Sequence, residues 1–258
     1  MKKITNVKQV ALWRLCVGCG ACKYICPDDK VYLVDVINDG IRPILGSDDC
    51  QDCRKCLEVC PGYGATLATS KSQNTFIQNL TKSFGPVLEI WEGYAADPEI
   101  RFNGSSGGLS SALALYCMEK KGMNGILHIS ADQDYPWKNR TVLSKNREEL
   151  ILRTGSRYSP ASPCDGIKQL ELANGPCVFI GKPCDVTGLR SSQVQKQELN
   201  SKIGLAIGFF CAGTPSTQGT LDFFNSHNVK PGDVDEFRYR GKGWPGMATV
   251  KFKKNKSP

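Results

Sequence analysis

Two cysteine runs near the start of the chain have the same spacing. One extends over residues 16–26 and the other over residues 50–60, and each follows the pattern CxxCxxCxxxCP. In this pattern three thiolates, separated by two residues each, surround one face of a 4Fe-4S cubane, while the fourth cysteine, placed before a proline, reaches a second cluster. The spacing therefore predicts two 4Fe-4S clusters with crossed ligands.

The crossed pattern assigns each of the eight ligands. One set is Cys16, Cys19, Cys22 and Cys60, and the other is Cys50, Cys53, Cys56 and Cys26. Glycines at 18 and 20 are expected to let backbone amides approach the sulfur atoms, where hydrogen bonds stabilise the more negative, reduced state. An isolated CxxC pair would equally suit zinc or a buried thiol. Zinc, however, needs only four ligands and gives no reason for a triple spacing that ends in CP and occurs twice.

The composition excludes several classes of protein. Thirteen cysteines occur in 258 residues, and eight of them lie before residue 61. Without an apolar signal peptide this density does not fit a secreted disulfide scaffold, and it predicts a cytoplasmic protein. No apolar run reaches the roughly 18 to 20 residues that a membrane span needs. We therefore expect neither export nor membrane insertion.

The charge gives little support for a polyanionic partner. The formal net charge is +8, and two clusters with eight thiolates would reduce it to roughly +4. Lysine and arginine are scattered along the chain, without a basic stripe interleaved with aromatic residues. The sequence therefore predicts no nucleic-acid interface.

The cysteine runs enclose a short polar turn between two apolar segments. Residues 31–37 and 40–44 are predicted strands around an Asn-Asp-Gly turn, which is typical of a hairpin in a two-cluster ferredoxin. We assign residues 10–68 to a two-cluster ferredoxin-like domain, residues 69–90 to a linker and residues 91–258 to a second domain. Two clusters conduct electrons but supply no substrate chemistry of their own.

The second domain alternates apolar strands with helices. Strands are predicted at 177–180 and 203–210, and each precedes a helix, at about 186–195 and 217–226. Such strands predict a covered, largely parallel or mixed sheet in an α/β domain, so that the whole chain is α+β. Ligands of these sheets bind at the carboxyl ends of the strands, which brings Lys182, Cys184, Cys211 and Thr214 to one crevice. For Cys184 and Cys211, a role as small buried apolar residues is an equal alternative.

Two loops of this domain have residues suited to an anionic cofactor. The turn before a predicted helix contains Ser105, Ser106, Gly107 and Gly108, whose amides and hydroxyls suit the pyrophosphate of a dinucleotide. The second loop contains Ser156, Arg157 and Tyr158, which could stack on a flavin and pair with its phosphates. An ordinary capped helix and a solvated turn are the respective alternatives. His128 and His227 have no serine or cysteine partner apparent in the sequence, and we expect neither to be catalytic.

Five motifs in order carry a resemblance to a known family. They are NGSSGGLSSAL at 103–113, TGSRY at 154–158, FIGKPCDVTGLR at 179–190, GFFCAGTP at 208–215 and YRGKGWPG at 239–246. Together with the cysteine runs they resemble the coenzyme F420 hydrogenase/dehydrogenase beta-subunit family over nearly the whole chain. The chain ends soon after the last motif, which indicates that the second domain is truncated at its C-terminus.

The resemblance implies an iron–sulfur flavoprotein oxidoreductase. Electrons would move through the clusters to FAD and then to a two-electron acceptor such as coenzyme F420 or another small redox substrate. A ferredoxin, or the catalytic subunit of a hydrogenase or dehydrogenase, would donate them. Lys182 and Cys184 are the candidate catalytic residues, with Lys182 stabilising a reduced flavin or binding an anionic acceptor. Ser105 to Gly108, Ser156 to Tyr158, Lys182 and Thr214 are the candidate flavin contacts.

Two further functions stay open at this point. The chain could be an electron-transfer subunit without a substrate, relaying electrons to a catalytic partner, or a non-redox iron–sulfur or zinc module that organises a complex. Bound flavin would separate the first alternative from the flavoprotein. The remaining cysteines have no assigned role: Cys117, Cys164, Cys177 and Cys211.

Overall fold

The computed structural model describes residues 4–46, 53–65, 78–80, 84–85 and 87–254. The N-terminal module, residues 4–65, contains helix α1 (Val7–Leu12), helix α2 (Ala21–Ile25), strand β1 (Val31–Val36), strand β2 (Gly40–Leu45) and helix α3 (Lys55–Glu58). The two strands form the predicted antiparallel hairpin, with Val31 paired to Leu45 and Val36 to Gly40. The predicted linker at 69–90 lies mostly outside the described residues.

The rest of the chain, residues 87–254, is the α/β domain. Its elements are α4 (Pro98–Asn103), α5 (Leu109–Lys120), β3 (Ile126–Ala131), β4 (Asn139–Ser144), α6 (Arg147–Leu152), α7 (Ile167–Glu171), β5 (Cys177–Gly181), α8 (Pro183–Gln195), β6 (Ile203–Gly208), α9 (Thr217–Ser226), β7 (Val234–Arg238) and β8 (Thr249–Phe252). A 3-10 turn, Pro163–Gly166, precedes α7. None of the helices in the described ranges is long and apolar enough to span a bilayer.

The main sheet has four strands in the order β4-β3-β5-β6. Strands β3, β5 and β6 are parallel, and β4 pairs with β3 in the antiparallel direction. The expected α/β class with a mixed sheet is confirmed. Strand β4, with the polar sequence Asn-Arg-Thr-Val-Leu-Ser, has no apolar run because it lies at the edge of the sheet and most of its residues are only half-buried.

Neighbouring residues of the central strands face opposite sides of the sheet, as the period of two in a strand requires. Ile126 and Val178 pack under α5, in a core with Ala114 and Leu115. Leu127 and Phe179 pack on the other side with Leu170 of α7 and Leu189 of α8. The domain therefore has helices on both faces of its sheet.

The N-terminal module packs into the second of these cores. Cys19, Ala21, Ile25 and Val59 are buried in the same cluster as Phe179 and Leu189. A separate small core, formed by Trp137, Phe224, Val234 and Phe237, joins α9 to the antiparallel pair β7–β8. The module and the α/β domain thus share apolar contacts as well as chain connectivity.

Candidate functional site

A cavity in the N-terminal module is lined by cysteines from both runs. Cys16, Cys19 and Cys22 come from the loop before α2 and from its first turn, and Cys60 comes from the turn after α3. The cavity encloses about 340 Å³, including its open mouth. Its other walls are apolar side chains and glycine backbone, from Val7, Val10, Val17, Gly18, Gly20, Leu33 and Pro43. These four cysteines are the set that the spacing predicts for one cluster.

The backbone of the first loop is shaped by its glycines. Gly18 and Gly20 have φ angles of +71° and +87°, in the left-handed region that favours glycine. This brings the amide of Gly18 to 3.4 Å from the Cys16 sulfur, to which it donates. Cys26, of the second set, accepts a hydrogen bond from the Lys30 amide at 3.3 Å. The expected amide contact to sulfur is therefore present at Gly18, and the second set has an amide contact from Lys30.

Three of the four thiols of the cavity, those of Cys16, Cys22 and Cys60, cannot easily ionise without a counter-charge. Burial raises the pKa of Cys16 and raises that of Cys60 to about 11. The pKa of Cys22 is raised well above its ordinary value by burial and then by the neighbouring cysteine sulfurs. Iron ions supply the positive charge that holds several thiolates together. The donor set thus fits a 4Fe-4S cluster, whereas no group of three or more His, Cys, Asp or Glu placed to hold a single metal ion occurs among the described residues.

The second set of cysteines lies nearer the surface. Cys26 and Cys56 are half-buried and Cys53 is exposed, while Cys50 is outside the described residues. Cys26 borders a depression of about 1150 Å³ between the module and helices α7 and α8. Four lysines also line it, namely Lys23, Lys55, Lys168 and Lys196, against the three acidic residues Asp29, Asp165 and Glu171.

The first set instead faces the α/β domain. Ser162 donates its hydroxyl to the Gly18 carbonyl at 2.6 Å, and the amide of Cys164 donates to the Cys19 carbonyl at 3.0 Å. A Cβ at Gly20 would lie 3.0 Å from the Asp165 amide nitrogen, so a side chain there would push the turn away. Gly20 therefore allows the loop its left-handed turn and also lets the module pack closely against the domain.

Polar contacts surround this junction. The Tyr24 hydroxyl donates to Glu171 at 2.5 Å, and Glu171 also pairs with Lys196 at 3.1 Å. Lys23 pairs with Asp165 at 2.7 Å. Because partly exposed ion pairs contribute little to stability, the shared apolar core accounts for most of the attachment.

The third motif meets the first set of cysteines at the start of α8. The Lys182 amide donates to the Asp185 carboxylate at 2.8 Å, and the Lys182 ammonium pairs with the same oxygen at 2.8 Å. Burial lowers the pKa of Lys182, but Asp185 more than offsets this, so that the pKa is raised and the side chain is charged. Lys182 and Asp185 both act electrostatically on Cys19. Burial raises the pKa of Cys184 to about 11, which keeps its thiol protonated and weakly nucleophilic at neutral pH.

The first and second motifs converge elsewhere on the domain, together with Arg238, which immediately precedes the fifth. The Ser156 amide donates to the Ser105 hydroxyl at 2.9 Å. Arg238, at the end of β7, donates to the carbonyls of Asn103 and Thr154 at 2.9 and 3.2 Å. Its Nε atom is buried and has no hydrogen-bond partner in the described structure. A buried guanidinium nitrogen of this kind suits an anionic ligand.

The turn at the start of α5 is tight and lacks a side-chain cap. Gly107 and Gly108 both have a φ of +70°, and a Cβ at Gly108 would lie 2.7 Å from the Ile100 carbonyl oxygen. No side chain accepts a hydrogen bond from the first amides of this helix. Uncapped amides at a helix start fit the pyrophosphate of a dinucleotide such as FAD.

The guanidinium of Arg157, a candidate flavin contact, is hydrogen-bonded to other residues of the chain. It donates to the carbonyls of Pro136, Lys138 and Phe237 at 2.6, 3.1 and 3.2 Å, and also to the Asn139 side chain. These bonds use four of its five donors. Burial lowers the pKa of Arg157 to about 10. The structure thus places Arg157 as a tie between its loop and strands β4 and β7.

The remaining candidates lie further apart. Tyr158 is half-exposed, and hydrogen bonds from Arg240 and Ser156 lower its pKa. Thr214 and Cys211 are exposed on the loop after β6. Among the described residues no hydrogen bond joins Thr214 to the turn before α5. The strand ends do meet as expected, since the Phe209 amide donates to the Gly181 carbonyl at 3.3 Å.

Comparison with known proteins matches both halves of the chain. Two family models, for the N-terminal and the C-terminal parts of the "Coenzyme F420 hydrogenase/dehydrogenase" beta subunit, match residues 90–168 and 176–257. A 4Fe-4S dicluster domain matches residues 15–65. The chain belongs to the coenzyme F420 hydrogenase/dehydrogenase beta-subunit family. The predicted family is thereby confirmed, and so is an iron–sulfur domain at the N-terminus of this family member.

Individual relatives of this family are distant in sequence. The coenzyme F420-dependent sulfite reductase of Methanocaldococcus jannaschii is 24% identical over 86% of this chain and 34% of its own length. The coenzyme F420 hydrogenase subunit beta of Methanosarcina barkeri is 24% identical over 62% of this chain and 58% of its own. A chain from the solved F420-reducing NiFe hydrogenase complex of Methanosarcina barkeri is 23% identical, with a TM-score of 0.49 over 62% of this chain and 56% of that chain. This chain therefore spans between about a third and three fifths of these relatives.

The histidines of this family member have structural contacts. His128 is buried in β3, and its Nε2 atom lies 2.8 Å from the Ser144 hydroxyl. Arg153 donates to the same hydroxyl at 2.8 Å. The sequence shows no serine partner for His128 because the polar strand β4, which supplies Ser144, is not predicted. Ser144 is 0% exposed, so substrate has no access to the pair. His227 is exposed and contacts the Phe223 carbonyl at 2.9 Å.

We expect His128 to make the fold sensitive to acid. Burial lowers the pKa of His128 from 6.5 to about 4. The unfolded chain therefore binds a proton below about pH 6.5 that the folded chain excludes, and stability falls as the pH falls from 6.5 towards 4. From these values the loss at pH 5, relative to pH 8, is about 2 kcal/mol. Anaerobic urea unfolding of the holoprotein and of His128→Gln at both pH values measures it; an equal pH dependence in the two proteins would contradict this role of His128.

Proposed function

We propose that this chain moves electrons through two 4Fe-4S clusters to a bound FAD and on to a two-electron acceptor such as coenzyme F420. The observation that carries the proposal is the contact of the Cys19 loop with Cys164, in the turn Pro163–Gly166, and with Gly188 of α8. A ligand of one set is thus adjacent to the domain that contains the five ordered motifs of the family. The ligands of the other set are close to the surface.

The positions of the two sets support a direction for the path. We propose that a donor docks near Cys26 and Cys53, where Lys55 and Lys168 line the neighbouring depression. A ferredoxin or the catalytic subunit of a hydrogenase or dehydrogenase is the proposed donor. Cys16, Cys19, Cys22 and Cys60 then hold the cluster nearest the α/β domain. Beside Cys19, Lys182 offsets part of the negative charge of its partner Asp185.

The flavin would be held by the converging loops. When bound, FAD would exchange single electrons with the clusters and a pair of electrons with the acceptor. We propose that the α5 amides and Arg238 bind its pyrophosphate, with Ser105 and Ser156 holding the two loops together. Arg157 positions the second loop through its hydrogen bonds to strands β4 and β7. Tyr158 is the exposed aromatic residue of that loop. Cys184 and Thr214 are proposed only as lining residues, since neither contacts these loops through a hydrogen bond in the described structure.

A relay subunit without its own acceptor is the second candidate. Phe210 and Trp244, in the fourth and fifth motifs, are 100% and 83% exposed. Such residues suit contact with a partner protein. In that case the electrons would leave the chain through the α/β domain without a bound flavin.

Iron and flavin content of the same sample test the proposal. We expect about eight irons and bound FAD, with flavin and iron–sulfur absorption in an anaerobic spectrum. Arg238→Gln is expected to lose at least about 90% of the flavin while keeping the iron, because it removes the unpartnered donor. The control is Arg190→Gln, an exposed arginine on α8. Eight irons without flavin in the unmodified protein would contradict the flavoprotein and favour the relay subunit.

A further inference from the structure

Cys164 is a buried thiol outside both cysteine runs. It lies in the 3-10 turn Pro163–Gly166 of the α/β domain and is 0% exposed. Its backbone amide donates to the Cys19 carbonyl at 3.0 Å. The thiol is therefore held next to a cysteine of the first set, 145 positions earlier in the chain.

The Cys164 thiol has two acceptors within reach. One is the Asp185 carbonyl, 3.2 Å from its sulfur. The other is the sulfur of Cys19, since both sulfurs lie beside the same position on α8. A Cβ at Gly188, on α8, would lie 3.3 Å from the Cys19 sulfur and 3.5 Å from that of Cys164. The helix glycine thus leaves room for the two sulfurs to meet.

We propose that Cys164 is a positioning residue that donates its thiol hydrogen to Cys19 and so makes the first cluster easier to reduce. A thiol has one hydrogen, and an iron-bound thiolate is a more negative acceptor than a backbone carbonyl. Reduction adds negative charge to the cluster sulfurs, so a hydrogen bond to Cys19 stabilises the reduced state more than the oxidised one. No bond is broken, and the proton stays on Cys164.

Groups other than the Cys164 thiol also act on Cys19. Lys182 acts on Cys19, but it is paired with the Asp185 carboxylate at 2.8 Å, which opposes its effect. The Ala21 backbone lowers the pKa of Cys19, and no side-chain substitution removes that effect. The side chain of Cys164 is the contact that mutation can change. The inference rests on the first cluster of the proposed function and is independent of the flavin.

Reduction potentials of the anaerobic holoprotein test the inference. Cys164→Ala removes the donor, and we expect one of the two cluster midpoint potentials to become more negative while the other is unchanged. A net hydrogen bond of ordinary strength corresponds to roughly a two- to tenfold drop in the reduced-to-oxidised ratio at the original midpoint. Cys164→Ser keeps a donor and is expected to keep the potential. The control is Cys177→Ala, which removes a thiol from the same core without a cluster ligand beside it.

Titration followed by electron paramagnetic resonance gives the potentials, and iron analysis shows whether both clusters are present. Cys164→Ala with full iron content and two unchanged potentials would overturn the inference. Infrared spectra of the unmodified protein give a second measurement, independent of how the variants fold. We expect an S–H stretching band, absent in Cys164→Ser, that moves to lower frequency on reduction of the cluster. A band that does not respond to reduction would equally overturn the inference. Missing flavin with these shifts present would contradict only the proposed function.

Discussion

Replacing Gly62 with alanine is expected to remove the first cluster and so about half of the iron from the protein. Gly62 follows the Cys60-Pro61 pair, and a Cβ there would lie 2.1 Å from the carbonyl oxygen of Leu15 and 2.9 Å from its carbonyl carbon. Backbone atoms cannot rotate away as a side chain can, so the two chain segments must separate. They contain Cys16 and Cys60, whose sulfurs must both reach the same cubane.

The control for this variant lies two residues further on. A Cβ at Gly64 would meet nothing within 4 Å, so Gly64→Ala makes the same chemical change without a clash. Iron analysis and the visible spectrum of both variants, purified anaerobically, compare the two. About eight irons in Gly62→Ala would show that the loops at 15–16 and 60–62 are not in close contact.

Replacing Gly188 with valine is expected to release iron from cysteines that lie in another part of the chain. Gly188 belongs to α8, and a Cβ there would lie 3.1 Å from the Ala21 Cβ and 3.3 Å from the Cys19 sulfur. Overpacking of this kind typically costs about 1–3 kcal/mol. The added methyl groups would push the N-terminal module off the sheet core, and we expect a lower unfolding midpoint together with loss of the first cluster.

Gly219→Val is the matched control, because it is also a glycine within a helix. A Cβ at Gly219 would have only Pro215 and Ser216 nearby, at 3.8 and 3.9 Å. Both substitutions raise helix propensity equally, so the difference between them reports the contact with the module. Iron content and thermal unfolding followed by circular dichroism measure it. Equal iron content in the two variants would mean that the module is attached without help from this face of α8.

Most local features of this protein follow from short stretches of its sequence. The repeated cysteine spacing predicts the iron–sulfur domain, and the Asn-Asp-Gly turn between apolar segments predicts the hairpin of β1 and β2. The apolar runs that become β5 and β6, each followed by a helix, predict parallel strands. These features are local because the residues that form them are neighbours along the chain.

Strand β4 could not be predicted from a local sequence pattern. Its residues are polar and only half-buried, since the strand pairs on one side alone, and its antiparallel direction depends on β3. Two further findings depend on this strand. It supplies Ser144 to His128, and its Asn139 accepts a hydrogen bond from Arg157. An arginine that the sequence offers as a flavin contact is thereby used to hold the fold.

The sequence by itself determined that this chain has eight cysteines arranged for two clusters, an α/β domain and the motif order of its family. Only the tertiary structure decided which set of cysteines faces that domain, and that Cys164 and Gly188 meet Cys19. The reason is physical: a thiolate spacing within one loop is set by covalent geometry, whereas a contact between residues 145 or more positions apart depends on how the cores pack together.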